Sequence, residues 1–244
     1  MRALAVTPIH LPAEEIRRRQ DRYDRLAPPG LRVELRDVGP AAPGSLDTGG
    51  DVRVSEREVA AALAREAGDG TAWDAAFPDC VLDPAVPDAV APAVTGGTPP
   101  VHGLLKLSAM HLAAKGVRFG AVVRNPAIGD ELARRLTVYG LGPYTAGVEV
   151  LELPFEAIAD TGAWNAALGG AVRALAAAGA TAVINGCSAV DVVPADIRSE
   201  ARNVGPAVAR GSGGSSPQND ADLAARIVDP TELALRLLVA EAAA

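Results

Sequence analysis

Short apolar runs alternate along this chain with helix-patterned segments, and this alternation restricts the fold more than any other feature. Strands separated by helices cannot pair as tight hairpins. They need crossover connections, which give parallel sheets with helices on their faces. The pattern opens with an apolar strand over Arg2–Thr7, a charged helix over Ala13–Leu26 and an alternating strand over Leu31–Val38. Pro40–Asp51 is rich in Gly and Pro and reads as a loop. Ser55–Ala67 reads as a helix, with Ser55 as N-cap and Glu58 as its capping-box partner. Trp73–Cys80 reads as a third strand and Asp83–Val94 as a proline-interrupted helix.

Thr95-Gly-Gly-Thr-Pro-Pro100 marks a crossover, after which the alternation restarts. Val101–Gly103, Arg118–Val123, Gly147–Leu153 and Thr181–Asn185 read as strands. Leu105–Lys115, Ala127–Tyr139, Thr161–Ala178 and Thr231–Ala243 read as helices. Gly211–Asn219 is a Gly/Ser-rich surface loop by composition. It lacks the preceding strand and following lysine of a phosphate-binding loop.

Composition excludes several classes of function. With 23 Lys+Arg against 30 Asp+Glu, the net charge of -7 argues against nucleic acid or an anionic membrane as partner. An aromatic share of 3% leaves too few rings for a base-stacking platform. No window approaches the roughly 18 apolar residues of a membrane span. The first apolar run meets Pro8 and Pro12 too early for a signal-peptide core, so the expected location is the cytoplasm. His10, His102, His111, Cys80 and Cys187 form no local metal-binding spacing, so neither metal nor cofactor is expected.

The two cysteines occupy equivalent places in a weak internal repeat. Gly70-Thr-Ala leads through an apolar run to Cys80 and Asp83, and Gly179-Ala-Thr-Ala leads to Cys187 and Asp191. Each cysteine falls at the carboxyl end of a strand and, on this reading, just before a helix. Ligands of open α/β sheets gather there. A helix N-terminus would lower the thiol pKa. Two such thiols across a cleft could take a proton from one face of a carbon acid and return one to the other face. Backbone N–H groups would hold the enolate between them.

These residues resemble the aspartate/glutamate/hydantoin racemase superfamily of cofactor-independent, two-cysteine enzymes. The likeness rests on Val6-Thr-Pro-Ile9, Asp79-Cys-Val-Leu-Asp-Pro84, Pro100-Val-His-Gly103, Arg118-Phe-Gly-Ala-Val-Val123 and Asn185-Gly-Cys-Ser188, and it extends over most of the chain. The hydantoin racemase branch is the nearer one. Glutamate racemases usually carry histidine two residues after the second cysteine, where this chain has Ala189. The resemblance implies two pseudo-symmetric, flavodoxin-like three-layer α/β domains with mostly parallel sheets and the active site in the cleft between them. The expected division is 1–97 plus about 205–244 for the first domain and 98–204 for the second. Ser199–Asp222 reads as an insertion.

The resemblance also implies that Cys80 and Cys187 are the catalytic pair, and that the Thr7-Pro8 loop borders the substrate carboxylate or carbonyl. Ser188 would offer its N–H or hydroxyl to the enolate, and Val81 its backbone N–H. Where hydantoin racemases usually carry threonines, this chain has Arg124-Asn125. Arg124 is then either a fork for a substrate carboxylate or a solvated surface arginine. Asp79, Asp83 and Asp191 either orient a thiol or cap local structure, and His10 could reach the cleft.

The expected activity is racemisation or epimerisation of a small hydantoin, amino-acid derivative or related acid, in a homo-oligomer. The alternatives are a maleate-type cis-trans isomerase, in which one cysteine adds to a double bond, and a non-catalytic binding protein for a small ligand.

Overall fold

The computed structural model describes residues 1–88, 99–192 and 227–242. Strands β1 (Arg2–Val6), β2 (Arg32–Arg36) and β3 (Ala75–Pro78) form one parallel sheet in the order β2-β1-β3. A second parallel sheet has the order β5-β4-β6-β7, from β4 (Phe119–Val123), β5 (Thr145–Val150), β6 (Ala182–Asn185) and β7 (Ile227–Val228). The helices are α1 (Ala13–Leu26), α2 (Gly49–Ala67), α3 (Leu104–Ala114), α4 (Pro126–Val138), α5 (Thr161–Ala177) and α6 (Pro230–Ala242).

The central strands are apolar along their length because helices cover both of their faces. On the first sheet, Ala3, Ala5 and Phe77 pack with Tyr23 of α1 and with Ala234, Leu235 and Leu238 of α6. The opposite face, with Leu4 and Val6, packs on Val59, Ala62 and Leu63 of α2. On the second sheet, Ala121 and Val123 face Leu132 and Leu136 of α4, while Val122 and Val183 face Trp164, Leu168 and Val172 of α5. Helix α3 serves both cores, since Leu104 enters the first and Leu105, Ala109 and Leu112 the second.

Several local expectations are corrected. Helix α2 starts at Gly49 and not at Ser55. Its N-cap is Thr48, whose side chain accepts from Asp51 N at 3.2 Å while Asp51 Oδ2 accepts from Thr48 N at 2.8 Å. Reciprocal capping offsets the weak helix propensity of the two glycines that follow, so the Gly/Pro count misleads there. Ser55 lies inside the helix, and its hydroxyl donates to Pro8 O at 2.6 Å. Residues 83–88 form turns where a helix was expected, with Asp83 and Ala85 at positive φ. Val101 contributes a single bridge to Ala76 and no strand. Strand β7 had no signal in the sequence. The rest of Asp83–Val94, the glycines of the crossover, the two expected domain boundaries, the Ser199–Asp222 insertion and the Gly/Ser-rich loop lie outside the described residues.

Asp83 joins the two halves. Its carboxylate accepts from Leu105 N at 3.0 Å and Lys106 N at 2.8 Å at the start of α3, and from the Tyr139 hydroxyl at 3.1 Å. Gly103 has to be glycine here, because a Cβ would lie 2.3 Å from Asp83 Oδ2. Burial pushes the Asp83 carboxyl up to about 7, against the pull of these donors. An unfolded aspartate titrates near ~3.9. Between the two values the native chain keeps a proton that the unfolded chain has released, so this contribution to stability declines as pH rises towards 7. From pH 5 to 8 the wild type should lose about 3 kcal/mol relative to Asp83→Asn, since about two pKa units are crossed and each is worth roughly 1.4 kcal/mol. Urea titrations of both proteins at four pH values measure this, and parallel pH profiles would refute it.

Candidate active site

Both cysteines sit just past the carboxyl ends of their strands, Cys80 after β3 and Cys187 after β6, and they line one cavity between the two sheets. Both thiols are free. The space open to the centres of water-sized spheres is about 60 Å³. One such sphere fills roughly 10–15 Å³, so the cavity suits a small molecule.

Cys80 is buried, and its sulfur accepts from Leu82 N at 3.4 Å. Burial pushes this thiol well above its ordinary range, the Leu82 N–H pulls back, and the Asp79 and Asp83 carboxylates push it further. Burial also raises the half-buried Cys187, but there the Ala189 N–H and the Arg19 guanidinium oppose it. The expected helix-dipole activation is therefore corrected. Turns follow both cysteines, and among the described residues no helix starts at either. Without a row of aligned N–H groups, desolvation dominates.

Residues around Cys187 fix its turn. Gly186 N donates to Val122 O at 2.7 Å, which brings the turn against the central strand β4. Asn185 accepts from Trp164 Nε1 at 3.1 Å and donates to Cys187 O at 3.2 Å and Val190 O at 3.3 Å. Ser188 Oγ donates to Asp79 O at 2.9 Å and so ties the second cysteine loop to the first.

Helix α1 supplies a group of arginines that the sequence reading missed. Arg19 is 4% exposed and lines the cavity, with Asp79 at 3.0 Å and Glu15 at 2.8 Å. Tyr23 donates its hydroxyl to Asp79 at 2.7 Å. Arg18 donates to Ala189 O at 3.2 Å, Arg22 and Arg25 both pair with Asp191, and Arg22 also pairs with Asp229. The available signal was position: Arg19 lies on the same helical stripe as Ile16, Tyr23 and Leu26, where an arginine must be buried with a partner.

Of the candidate residues, Cys80, Cys187, Pro8, Val81, Arg124 and Ser188 line the cavity. Thr7 and Asn125 do not. The Thr7 hydroxyl donates to Asp37 at 3.2 Å and accepts from Val38 N at 3.0 Å. Asn125 caps α4 through Ile128 N and donates to Leu46 O at 2.7 Å. His10 stays outside, half-exposed against Asp37 at 2.7 Å. Asp79 and Asp191 pair with arginines, and Asp83 caps α3.

Arg124 fits neither expectation. It is 4% exposed, so it is no surface arginine, and its fork is already occupied. One terminal nitrogen donates to Asp47 Oδ1 at 2.6 Å and Leu46 O at 3.1 Å, the other to Leu153 O at 3.3 Å. The guanidinium lies 5.7 Å from the centre of the Phe155 ring. Its Nε is buried without a hydrogen-bond partner among the described residues.

No protein-family model and no curated protein sequence matches this chain. Solved structures do match. An allantoin racemase from Klebsiella pneumoniae is similar with a TM-score of 0.70 at 20% identity, over 100% of this chain and 88% of that one. An allantoin racemase from Pseudomonas fluorescens gives 0.71 at 17% identity, over 98% and 90%. A maleate isomerase from Pseudomonas putida S16 gives 0.53 at 11% identity, over 98% and 91%. The fold is thus the one that these two racemases and the isomerase share.

Proposed function

We propose that this chain is a cofactor-independent racemase or epimerase acting on a carbon next to a carbonyl in a small hydantoin or amino-acid derivative. The observation that carries this reading is the pair of free thiols, one from each half, in a single small cavity. One sulfur as thiolate removes the proton, and the other as thiol returns one to the opposite face. Backbone N–H groups at Val81 and Ser188 stabilise the enolate oxygen.

The two thiols differ in their neighbours. Burial and Asp79 raise both thiols and a backbone N–H pulls each back, but Arg19 and Arg22 further oppose the rise at Cys187, whereas Asp83 adds to it at Cys80. Cys187 is thus the resting base and Cys80 the resting acid. Since burial raises both thiols, kcat/KM should increase with pH across the neutral range. Iodoacetamide should alkylate Cys187 at lower pH than Cys80, as mass spectrometry of partly modified protein would show. Preferential labelling of Cys80 would reverse the assignment.

The decisive experiment is solvent exchange in deuterium oxide, followed by proton NMR on hydantoins and N-carbamoyl amino acids. Deuterium should enter at the carbon next to the carbonyl, with loss of optical activity. Ligands that bind without exchanging would mark the protein as a binding module.

A further inference from the structure

We propose that Arg19 is a positioning residue for Cys187: helix α1 holds its guanidinium in the cavity wall so that Cys187, before Cys80, gives up its proton. This rests on the two-thiol reading above and names the device that makes the two thiols unequal. Three observations support it. Arg19 is 4% exposed and lines the cavity that holds both cysteines. Its Nε donates to Glu15 at 2.8 Å and its Nη1 to Asp79 at 3.0 Å, so it is fixed both by its own helix and by the residue before Cys80. Among the described residues its Nη2 has no hydrogen-bond partner and is the donor left over for the cavity.

Helix α1 also fastens the Cys187 turn on either side of Arg19. Arg18 donates to Ala189 O at 3.2 Å, two residues past Cys187, and Arg22 pairs with Asp191 at 2.8 Å. Ser188 Oγ donates to Asp79 O at 2.9 Å, and the Tyr23 hydroxyl holds the Asp79 carboxylate at 2.7 Å. The turn, the carboxylate and the guanidinium therefore keep one arrangement. The charged groups that act on the Cys187 sulfur are Arg19, Asp79 and Arg22. Arg22 is shared between Asp191 and Asp229 and does not line the cavity, so Arg19 is the cation that a Cys187 thiolate meets. A fixed cation beside a buried thiolate replaces part of the hydration lost on burial. Around Cys80 the carboxylates of Asp79 and Asp83 act in the opposite sense.

The experiment alkylates the full-length protein with iodoacetamide across a pH series and reads Cys80 and Cys187 separately by peptide mass spectrometry. Arg19→Gln should raise the midpoint of Cys187 alkylation by about one pH unit or more and move that of Cys80 less. Arg19→Lys keeps the charge without the fork and should undo most of that rise. Glu15→Gln removes an anion beside Arg19 and should lower the Cys187 midpoint by about half a unit. Glu15→Gln leaves Arg19 paired with Asp79, so it decides the matter if Arg19→Gln does not fold. The inference is overturned if the Cys187 midpoint stays at its wild-type value in these variants, if both thiols rise equally in Arg19→Gln, or if Arg19→Lys matches Arg19→Gln. Deuterium uptake by each pure enantiomer of 5-methylhydantoin is followed in the same proteins near neutral pH. One unit is a tenfold loss of thiolate, so Arg19→Gln should slow exchange of the enantiomer that Cys187 deprotonates about tenfold and that of the other much less. A merely structural role would slow both alike. Shifted midpoints without exchange, even in the wild type, would sink the racemase reading and leave the role of Arg19 standing. Exchange with an unmoved Cys187 midpoint would do the reverse.

Discussion

Serine in place of either Cys80 or Cys187 should lower racemisation about a thousandfold or more and leave the fold intact. A hydroxyl is close in size to a thiol but far less acidic, so it is a poor base near neutral pH. A positioned acid or base contributes roughly 10²–10⁴ in rate. Each single variant keeps one thiol in the cavity. Each should therefore still exchange the proton of one enantiomer, with opposite preferences for the two variants. Chiral chromatography gives the racemisation rate, and deuterium uptake by each pure enantiomer gives the half-reactions. Retention of a tenth of wild-type racemisation by either variant would rule out the two-thiol mechanism.

Gly186→Ala should be strongly destabilising. Its Cβ would lie 2.3 Å from Val122 O and 2.7 Å from Val123 Cγ1. Val122 belongs to a central strand paired on both sides, so its carbonyl cannot give way. The clash also strains the Gly186 N–H to Val122 O bond. Overpacking costs roughly 1–3 kcal/mol and a hydrogen bond about 0.5–1.5, which together predict a loss of about 2–4 kcal/mol. The displaced turn carries Cys187, so activity should fall at temperatures where the variant is still folded. Gly170→Ala is the control. It lies in α5 with nothing within 4 Å of a Cβ, and it should stabilise by up to about 1 kcal/mol. Chemical denaturation compares the three proteins, and a fully active Gly186→Ala of normal stability would contradict this account.

What the sequence revealed followed from chain-local patterns. Strands such as Arg2–Val6 and Phe119–Val123 are legible because burial on both faces leaves an unbroken apolar run. The cysteines are legible because each ends such a run. Features decided across the chain were hidden. Thr48 outcompetes Ser55 as a cap because Ser55 has a distant partner, Pro8 O. Arg124 looks like any arginine until Asp47, Leu46 and Leu153 are placed around it. Thr7 and Asn125 belong to suggestive motifs, yet their side chains are spent on neighbouring backbone and loops. The thiol pKa ran against expectation for a similar reason, since burial by residues from across the chain outweighs the nearby N–H groups at both cysteines.

The packing of α6 on the first sheet bears on how the protein is made. Ala234, Leu235 and Leu238 help to seal the core that contains Ala3, Ala5 and Phe77. A ribosome working at roughly 5–20 residues per second delivers α6 about 150 residues after β3, on the order of 10–30 s later. During that interval part of the apolar face of the first sheet has no cover from its own chain. The second sheet is nearly complete before the first can close, even though the first is synthesised earlier. Nascent chains halted before Pro230 should therefore bind hydrophobic-surface dyes and chaperones, and release them once residues 230–242 have emerged.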